Sequence, residues 1–329
     1  LRLLLSVKIL QYAFFDALGI PYAVTIAAVL FLIWLYTNKS GVKTIVWTDA
    51  LQSLLLITVI LVSIITIKNS LHLSIGGMIQ SVTNHSYAKV FDWDPQSGSN
   101  FFKQFISGLL ITVALVGLDQ SMMQKTLTIK DAHGARKNVL SFSFFIAAAQ
   151  TLFLGLGVLM YIYTEQKGIP LLRENGQILN TDGIYPDLTL HYFGTTGAIA
   201  FFIAVIASTF ASIDSCITAL TTSFSYDFMH FEKKSHEERK QIKKWVLLGV
   251  NAVMFVIVLA FWNSQGAIIN TIFKIAGYTY GPLLGLYLTG FFTKYKLQEK
   301  WVPVACISAA LLTYVLNELF IRYYHFDLG

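Results

Sequence analysis

The chain has 329 residues, of which 55% are hydrophobic and only 13% charged, whereas a soluble domain carries roughly 25% charged residues. The apolar residues fall in blocks of about 20, the length that crosses a bilayer, and they lack the period-2 alternation of barrel strands, so a soluble globular protein and a β-barrel are both excluded. A net charge of +6 reflects loop asymmetry rather than an acidic ligand, and no nucleic-acid partner is expected.

In chain order, nine helices are predicted. The first covers Leu1 to Leu18 and the second runs from Ile20 to Tyr36, joined by a tight Gly19-Ile20-Pro21 turn that suits antiparallel neighbours. The third starts near Asp49 and ends near Lys68. A loop with Asp92-Trp93-Asp94-Pro95 follows. The fourth helix spans Phe101 to Met123, the fifth Asn138 to Tyr163 and the sixth Thr195 to Ser223. The seventh spans Lys244 to Trp262, the eighth Ile268 to Phe292 and the ninth Trp301 to Ile321. The chain opens at Leu1-Arg2-Leu3 without a methionine, no signal peptide precedes the first span, and a truncated start is expected. Cys216 and Cys306 lie in apolar runs and are expected to be small buried hydrophobes rather than a disulfide or metal pair.

Basic residues fix an orientation. Lys39 and Lys43 follow the second span; Lys125, Lys130, Arg136 and Lys137 follow the fourth. Lys233, Lys234, Arg239, Lys240, Lys243 and Lys244 follow the sixth, and Lys294, Lys296 and Lys300 the eighth. These alternate connections share one side, which is cytoplasmic by the positive-inside rule. Within them, Ser235 to Lys240 mixes both signs and reads as a solvated helix cap or loop. The expected product is a multi-pass protein of the plasma (inner) membrane, a single transmembrane domain over residues 1–329 with the lipid bilayer as its surroundings.

The sixth helix carries the most chemistry. At about 100° per residue, Ser208, Ser212 and Ser215 fall within about 60° of one another, with Thr209 on the flank. Two readings stand: close helix packing through small residues, or an ion site, since hydroxyl and carbonyl oxygens are hard ligands that suit an alkali cation. Asp214 lies about 140° from Thr209 on the same wheel, so one ion does not reach both side chains. A carboxylate within a span is a functional hypothesis by default. It is expected to serve a separate contact: a proton, a second ion, or a buried partner such as Lys274.

Asp49 reads either as an N-cap of the third helix or as a functional carboxylate. Asp119, at the end of the fourth helix, is in reach of Lys125 or Arg136. The eighth helix contains Gly277-Tyr278-Thr279-Tyr280-Gly281-Pro282, which permits a kink or a broken helix lining a substrate path, and Gly108 and Gly117 give the fourth helix the same option. No nucleophile elbow, zinc-protease motif or phosphate-binding glycine loop is present in the sequence, so no enzymatic activity and no organic cofactor are expected.

Three stretches together resemble the sodium/solute symporter family of sugar, proline and sialic acid carriers: Gly41 to Gln52, Gly117 to Leu127 with Lys130-Asp131-Ala132, and Ala207 to Asp227. The resemblance implies an all-α membrane protein with a partial LeuT-type inverted-repeat fold that lacks the first core helices. It implies sodium, as the coupling ion, on the Val205 carbonyl, Ser208, Thr209 and Ser212, with further ligands on the missing first core helix. Asp49, with Asp214 and Ser215, is expected at a second ion site or on the release path, although Ala211 stands where some members have another hydroxyl. Thr112, Asp119, Tyr278 and Tyr280 are expected along the substrate path. The stretch Thr112 to Val116 lacks the asparagine and gating tyrosine of the sugar carriers, which argues against a galactose-type site.

The function that follows is sodium-coupled secondary active transport, a symporter importing a small polar organic solute, with no obligate protein partner. The alternative is a transporter-like membrane sensor domain without transport activity. A membrane-embedded enzyme is a third class, disfavoured by the few intramembrane histidines.

Overall fold

The computed structural model describes residues 2–39, 42–171, 173–174, 177–178, 181–262, 268–294 and 298–324. It is a helical protein that divides into two compact units, one of residues 1–88 with 124–268 and one of residues 89–123 with 269–329.

In the first unit, α1 (Arg2–Leu10) continues as a π-helical turn over Gln11–Phe15 and a 3-10 turn over Asp16–Leu18. Gly19 ends it in the left-handed region at φ 66°, a conformation that costs glycine nothing. The change of helix type follows from Gln11, a buried amide that must satisfy its polar atoms locally. Its Nε2 donates to Asp16 Oδ1 at 2.6 Å and to the Ile20 carbonyl at 2.7 Å. Its Oε1 accepts from Thr25 Oγ1 at 2.5 Å. These bonds tie α1 to α2 (Tyr22–Lys39) and build the tight turn that the sequence predicts.

Next comes α3 (Val42–Ser70), then the short amphipathic α4 (Ile75–Asn84), whose N-cap Ser74 accepts from the Gly77 amide at 3.0 Å. Two helices that belong to this unit follow the second unit's first segment in sequence: α7 (Ala132–Lys167), capped by Asp131, and α8 (Thr181–His191). Between them, Arg173–Glu174 (β1) and Gln177–Ile178 (β2) pair antiparallel as a two-residue ribbon. The long α9 (Gly194–Asp227) and α10 (His236–Ala260) complete the unit. Ser235 and Glu238 form a capping box at the start of α10, so the mixed-charge segment is a helix cap as the sequence suggests.

The core of this unit has two apolar clusters. Ile60 and Ile67 of α3 pack with Leu156, Leu159 and Tyr163 of α7 and with Ile184 and Leu188 of α8. Val59 meets Phe201 and Ala204 of α9. Helix α9 is central, touching α1, α2, α3, α8 and α10, with its most extensive contact on α3. Small and hydroxyl-bearing residues permit such close approach between membrane helices.

The second unit holds α5 (Phe101–Gly117), the start of α6 (Gln120–Thr126), α11 (Ile268–Phe292) and α12 (Val302–Tyr324). Asn100 caps α5, accepting from the Phe102 amide at 3.0 Å and the Lys103 amide at 3.4 Å. The predicted fourth helix is interrupted after Gly117: Leu118 is the C-cap of α5, its amide still donating to the Ala114 carbonyl at 3.0 Å, and Asp119 starts α6 by accepting from the Met122 amide at 3.1 Å. Helix α11 runs unbroken through Pro282, so the broken-helix option there is not realised. Tyr278 of α11 meets Tyr314 of α12 edge-on, with ring centroids 5.9 Å apart.

Among the described residues, five helices are long and apolar enough to cross a membrane: α3 from Val46, α7, α9, α10, and α12 with its preceding turn. Helices α2 and α5 are shorter apolar ones. Large apolar side chains such as Phe144, Leu154 and Phe291 are exposed, as a lipid-facing surface requires. The nine predicted spans fall on α1 with its continuation, α2, α3, α5 with α6, α7, α9, α10, α11 and α12.

Candidate functional site

The start of α3 makes contact with three different helices within about one turn. Tyr36 of α2 donates from its hydroxyl to Thr48 Oγ1 at 3.4 Å. Asp49 Oδ2 forms an ion pair with Lys125 Nζ of α6, both side chains more than two-thirds buried. Gln52 Nε2 donates to Ser208 Oγ of α9 at 3.2 Å. Helix α3 starts seven residues before Asp49, at Val42. Asp49 is therefore not an N-cap, and its carboxylate is available to the ion pair instead.

On α9, Thr209 is fully buried and its hydroxyl donates to the Val205 carbonyl at 2.7 Å. Ser208 is half-buried, turned to Gln52. The Ser212 side chain lies outside the described residues. Two hydroxyl oxygens and a backbone carbonyl thus occupy adjacent turns of one buried helix, a donor set of hard oxygens. A bound cation would take the place of the Thr209 hydroxyl hydrogen on the Val205 carbonyl and of the Gln52 amide hydrogen on Ser208.

Asp214 points elsewhere. It is fully buried, and its Oδ1 accepts from Thr37 Oγ1 of α2 at 2.5 Å and from Thr218 Oγ1 at 3.5 Å. Ser208 and Asp214 are six residues apart, about 120° on the helix wheel, so α3 receives one and α2 the other. Asp214 thus finds its partner Thr37 on α2, while the Lys274 side chain, the partner suggested by the sequence, lies outside the described residues. Among the described residues, Asp214 Oδ2 and Ser215 Oγ are buried atoms without a hydrogen-bond partner.

The residues expected along a substrate path belong to the second unit. Thr112 is exposed on α5 and donates back to the Gly108 carbonyl at 2.7 Å. Asp119 caps α6, while Lys125, one of its two expected partners, pairs with Asp49. Tyr278 and Tyr280 are half-buried on α11. Cys216 is exposed and Cys306 half-buried rather than buried, and neither forms a disulfide; a polar stripe turned inward leaves Cys216 on the outer face of α9.

Sequence reasoning missed Thr37, Thr218 and the role of Gln52. Gln52 stood inside a recognised stretch, next to Asp49 in register. Thr37 had no signal of its own, being one hydroxyl at the end of an apolar span.

The model of the sodium:solute symporter family matches residues 5–299. The chain belongs to the sodium:solute symporter family. Its curated relatives include the sodium/sialic acid symporter SiaT of Proteus mirabilis, 24% identical over 290 residues, covering 84% of this chain and 56% of that protein. The human sodium-coupled monocarboxylate transporter 2 is 26% identical over 293 residues, covering 85% and 45%. The human sodium/iodide cotransporter is 26% identical over 268 residues, covering 78% and 40%. The chain thus spans about half the length of the curated relatives it matches.

A solved structure of a sodium-coupled sialic acid symporter in a substrate-bound outward-open state superposes with a TM-score of 0.75 at 20% identity, covering 99% of this chain and 65% of that one. The fold is therefore the all-α, LeuT-like one of a multi-pass membrane protein, and the relatives of this symporter-family chain are transporters rather than enzymes.

Proposed function

We propose that this chain is part of a sodium-coupled symporter of the plasma membrane that imports a small polar organic solute, residues 1–329 belonging to a single transporter domain. The observation that carries the reading is the Val205 carbonyl with the Ser208 and Thr209 hydroxyls on the buried face of α9, in a chain of this family. Sodium is the coupling ion and binds there, with Ser212 as a further ligand. Inward sodium flow supplies the energy, with the membrane potential adding about 2.3 kcal/mol per charge per 100 mV.

In this mechanism, sodium bound at Val205, Ser208, Thr209 and Ser212 holds α9 in one of two arrangements. Its loss toward the basic side runs past Asp49, whose carboxylate trades the Lys125 ammonium for the departing ion. Asp214 and Ser215, turned away from Ser208, serve a second ion or the release path. Thr112, Asp119, Tyr278 and Tyr280 contribute to the solute path. The chemistry is transport without conversion, with no organic cofactor and no obligate protein partner.

The named relatives make sialic acid and monocarboxylates the first solutes to test. Vesicles holding the full-length protein should accumulate the unmodified solute under an inward sodium gradient and stop when an ionophore collapses it. Equal accumulation with potassium in place of sodium, or chemical conversion of the solute, would contradict the proposal.

A further inference from the structure

The elbow between α9 and α10 lies outside the ion and solute machinery and is held by its own side-chain hydrogen bonds. After Asp227 the chain turns through Phe228 and Met229, then a 3-10 turn over Phe231–Lys233, into the capping box of Ser235 and Glu238. Arg239 reaches back across this turn. Its Nη2 donates to the Glu232 carbonyl at 2.7 Å and its Nε to the Lys234 carbonyl at 2.9 Å. The guanidinium also lies over the Phe231 ring, 5.5 Å from its centroid. Two carbonyls that a free loop would show to water are thereby fixed, and so is the backbone that carries Lys234.

Beside that backbone is a cleft of about 340 Å³. Met229, Ile242, Trp245 and Val246 form its apolar part, and Lys234 and Gln241 supply polar donors. Glu238 also borders the cleft, but its carboxylate is engaged by the Ser235 amide at 2.8 Å. Lys233, Lys240, Lys243 and Lys244 surround the elbow and are exposed. Trp245 opens the apolar run of α10 and is 69% exposed, and Phe228, at the start of the elbow, is 70% exposed. Aromatic residues at the first apolar turn of a span sit at headgroup level. The charge bias puts this end of α10 on the cytoplasmic side, where the leaflet is anionic.

A polar upper wall carrying Lys234 and ringed by the exposed Lys233, Lys240, Lys243 and Lys244, over an apolar lower wall at the depth of the headgroups, is complementary to one kind of molecule. We propose that the α9–α10 elbow is a binding site for an anionic phospholipid of the cytoplasmic leaflet. Lys234 and Gln241 donate to the lipid phosphate, and the acyl chain lies along Ile242 and Trp245. Diffuse attraction between any basic loop and an anionic leaflet is a different idea, because it does not depend on which lysine is kept.

The test is native mass spectrometry of the purified full chain with phosphatidylglycerol, with phosphatidylcholine, and with inorganic phosphate as competitor. The proposal expects retained phosphatidylglycerol in preference to phosphatidylcholine. Retention should fall about five-fold in Lys234→Ala, the effect of one cation near a membrane surface. Trp245→Ala should also lower retention, and Lys234→Arg should preserve it, which separates lost binding from lost folding. The pair Lys130→Ala with Lys137→Ala, on another basic segment, should leave retention unchanged. An equal loss in that control pair, no preference for phosphatidylglycerol, or full displacement by inorganic phosphate would each overturn the proposal.

Discussion

Lys125 of α6 and Asp49 of α3, 76 residues apart in sequence, form an ion pair beside the helix that carries Ser208 and Thr209. Both side chains are partly exposed, so water screens the pair and its contribution is well below that of a fully buried one. A double-mutant cycle with Asp49→Asn and Lys125→Met measures it. The expected coupling is about 0.5–2 kcal/mol, with the double variant more stable than the sum of the single losses implies. Thermal unfolding in detergent reads this out, and strict additivity would show that the two groups do not interact.

Asp214 depends on a different helix. Thr37→Val removes the hydroxyl that donates to Asp214 Oδ1 while keeping the side-chain shape. Depriving a buried acceptor of its partner costs about 1–3 kcal/mol, and the carboxyl would retain only the longer contact from Thr218. Thr37→Val should therefore lower the unfolding midpoint, and Thr37→Ser should restore most of it. A Thr37→Val protein as stable as the parent would show that this bond does not hold α2 to α9.

The turn before α5 gives a pH prediction. Hydrogen bonds from Ser97 and Ser99 and from the Asp94 amide hold the Asp92 carboxyl down at about 2, below the unfolded value of about 3.9. Because the folded value is depressed, the ionised turn is stabilised above the unfolded value, and that contribution is lost as pH falls through about 2. Pepsin cleavage within residues 89–100 should stay slow near pH 4 and accelerate toward pH 2. Asp92→Asn should cleave at a rate that varies little across that window. The same acceleration in both proteins would place the sensitivity elsewhere.

Long apolar spans made most of this fold readable from sequence, since hydropathy needs only length and composition. What it does not encode is where a span changes character. Gln11 gave no warning that its amide would turn the end of α1 into π and 3-10 turns, because the partners Asp16, Ile20 and Thr25 matter only once the chain folds back. Helices α4 and α8 were hidden for the opposite reason, being too short or too polar to read as spans. In the candidate site, the periodicity of α9 set the directions of Thr209 and Asp214 apart. It could not name Thr37 or Lys125, because a wheel gives a direction and not the neighbour that lies there.

The central claim is that sodium sits on the oxygens of Val205, Ser208 and Thr209. Its most direct test is the sodium dependence of solute uptake in Ser208→Ala and Thr209→Ala proteins reconstituted at equal amounts. Loss of one hydroxyl ligand to a cation, at about 1.5–3 kcal/mol, should raise the half-saturating sodium concentration about ten-fold or more. An unchanged sodium requirement in both variants, with uptake intact, would contradict the assignment.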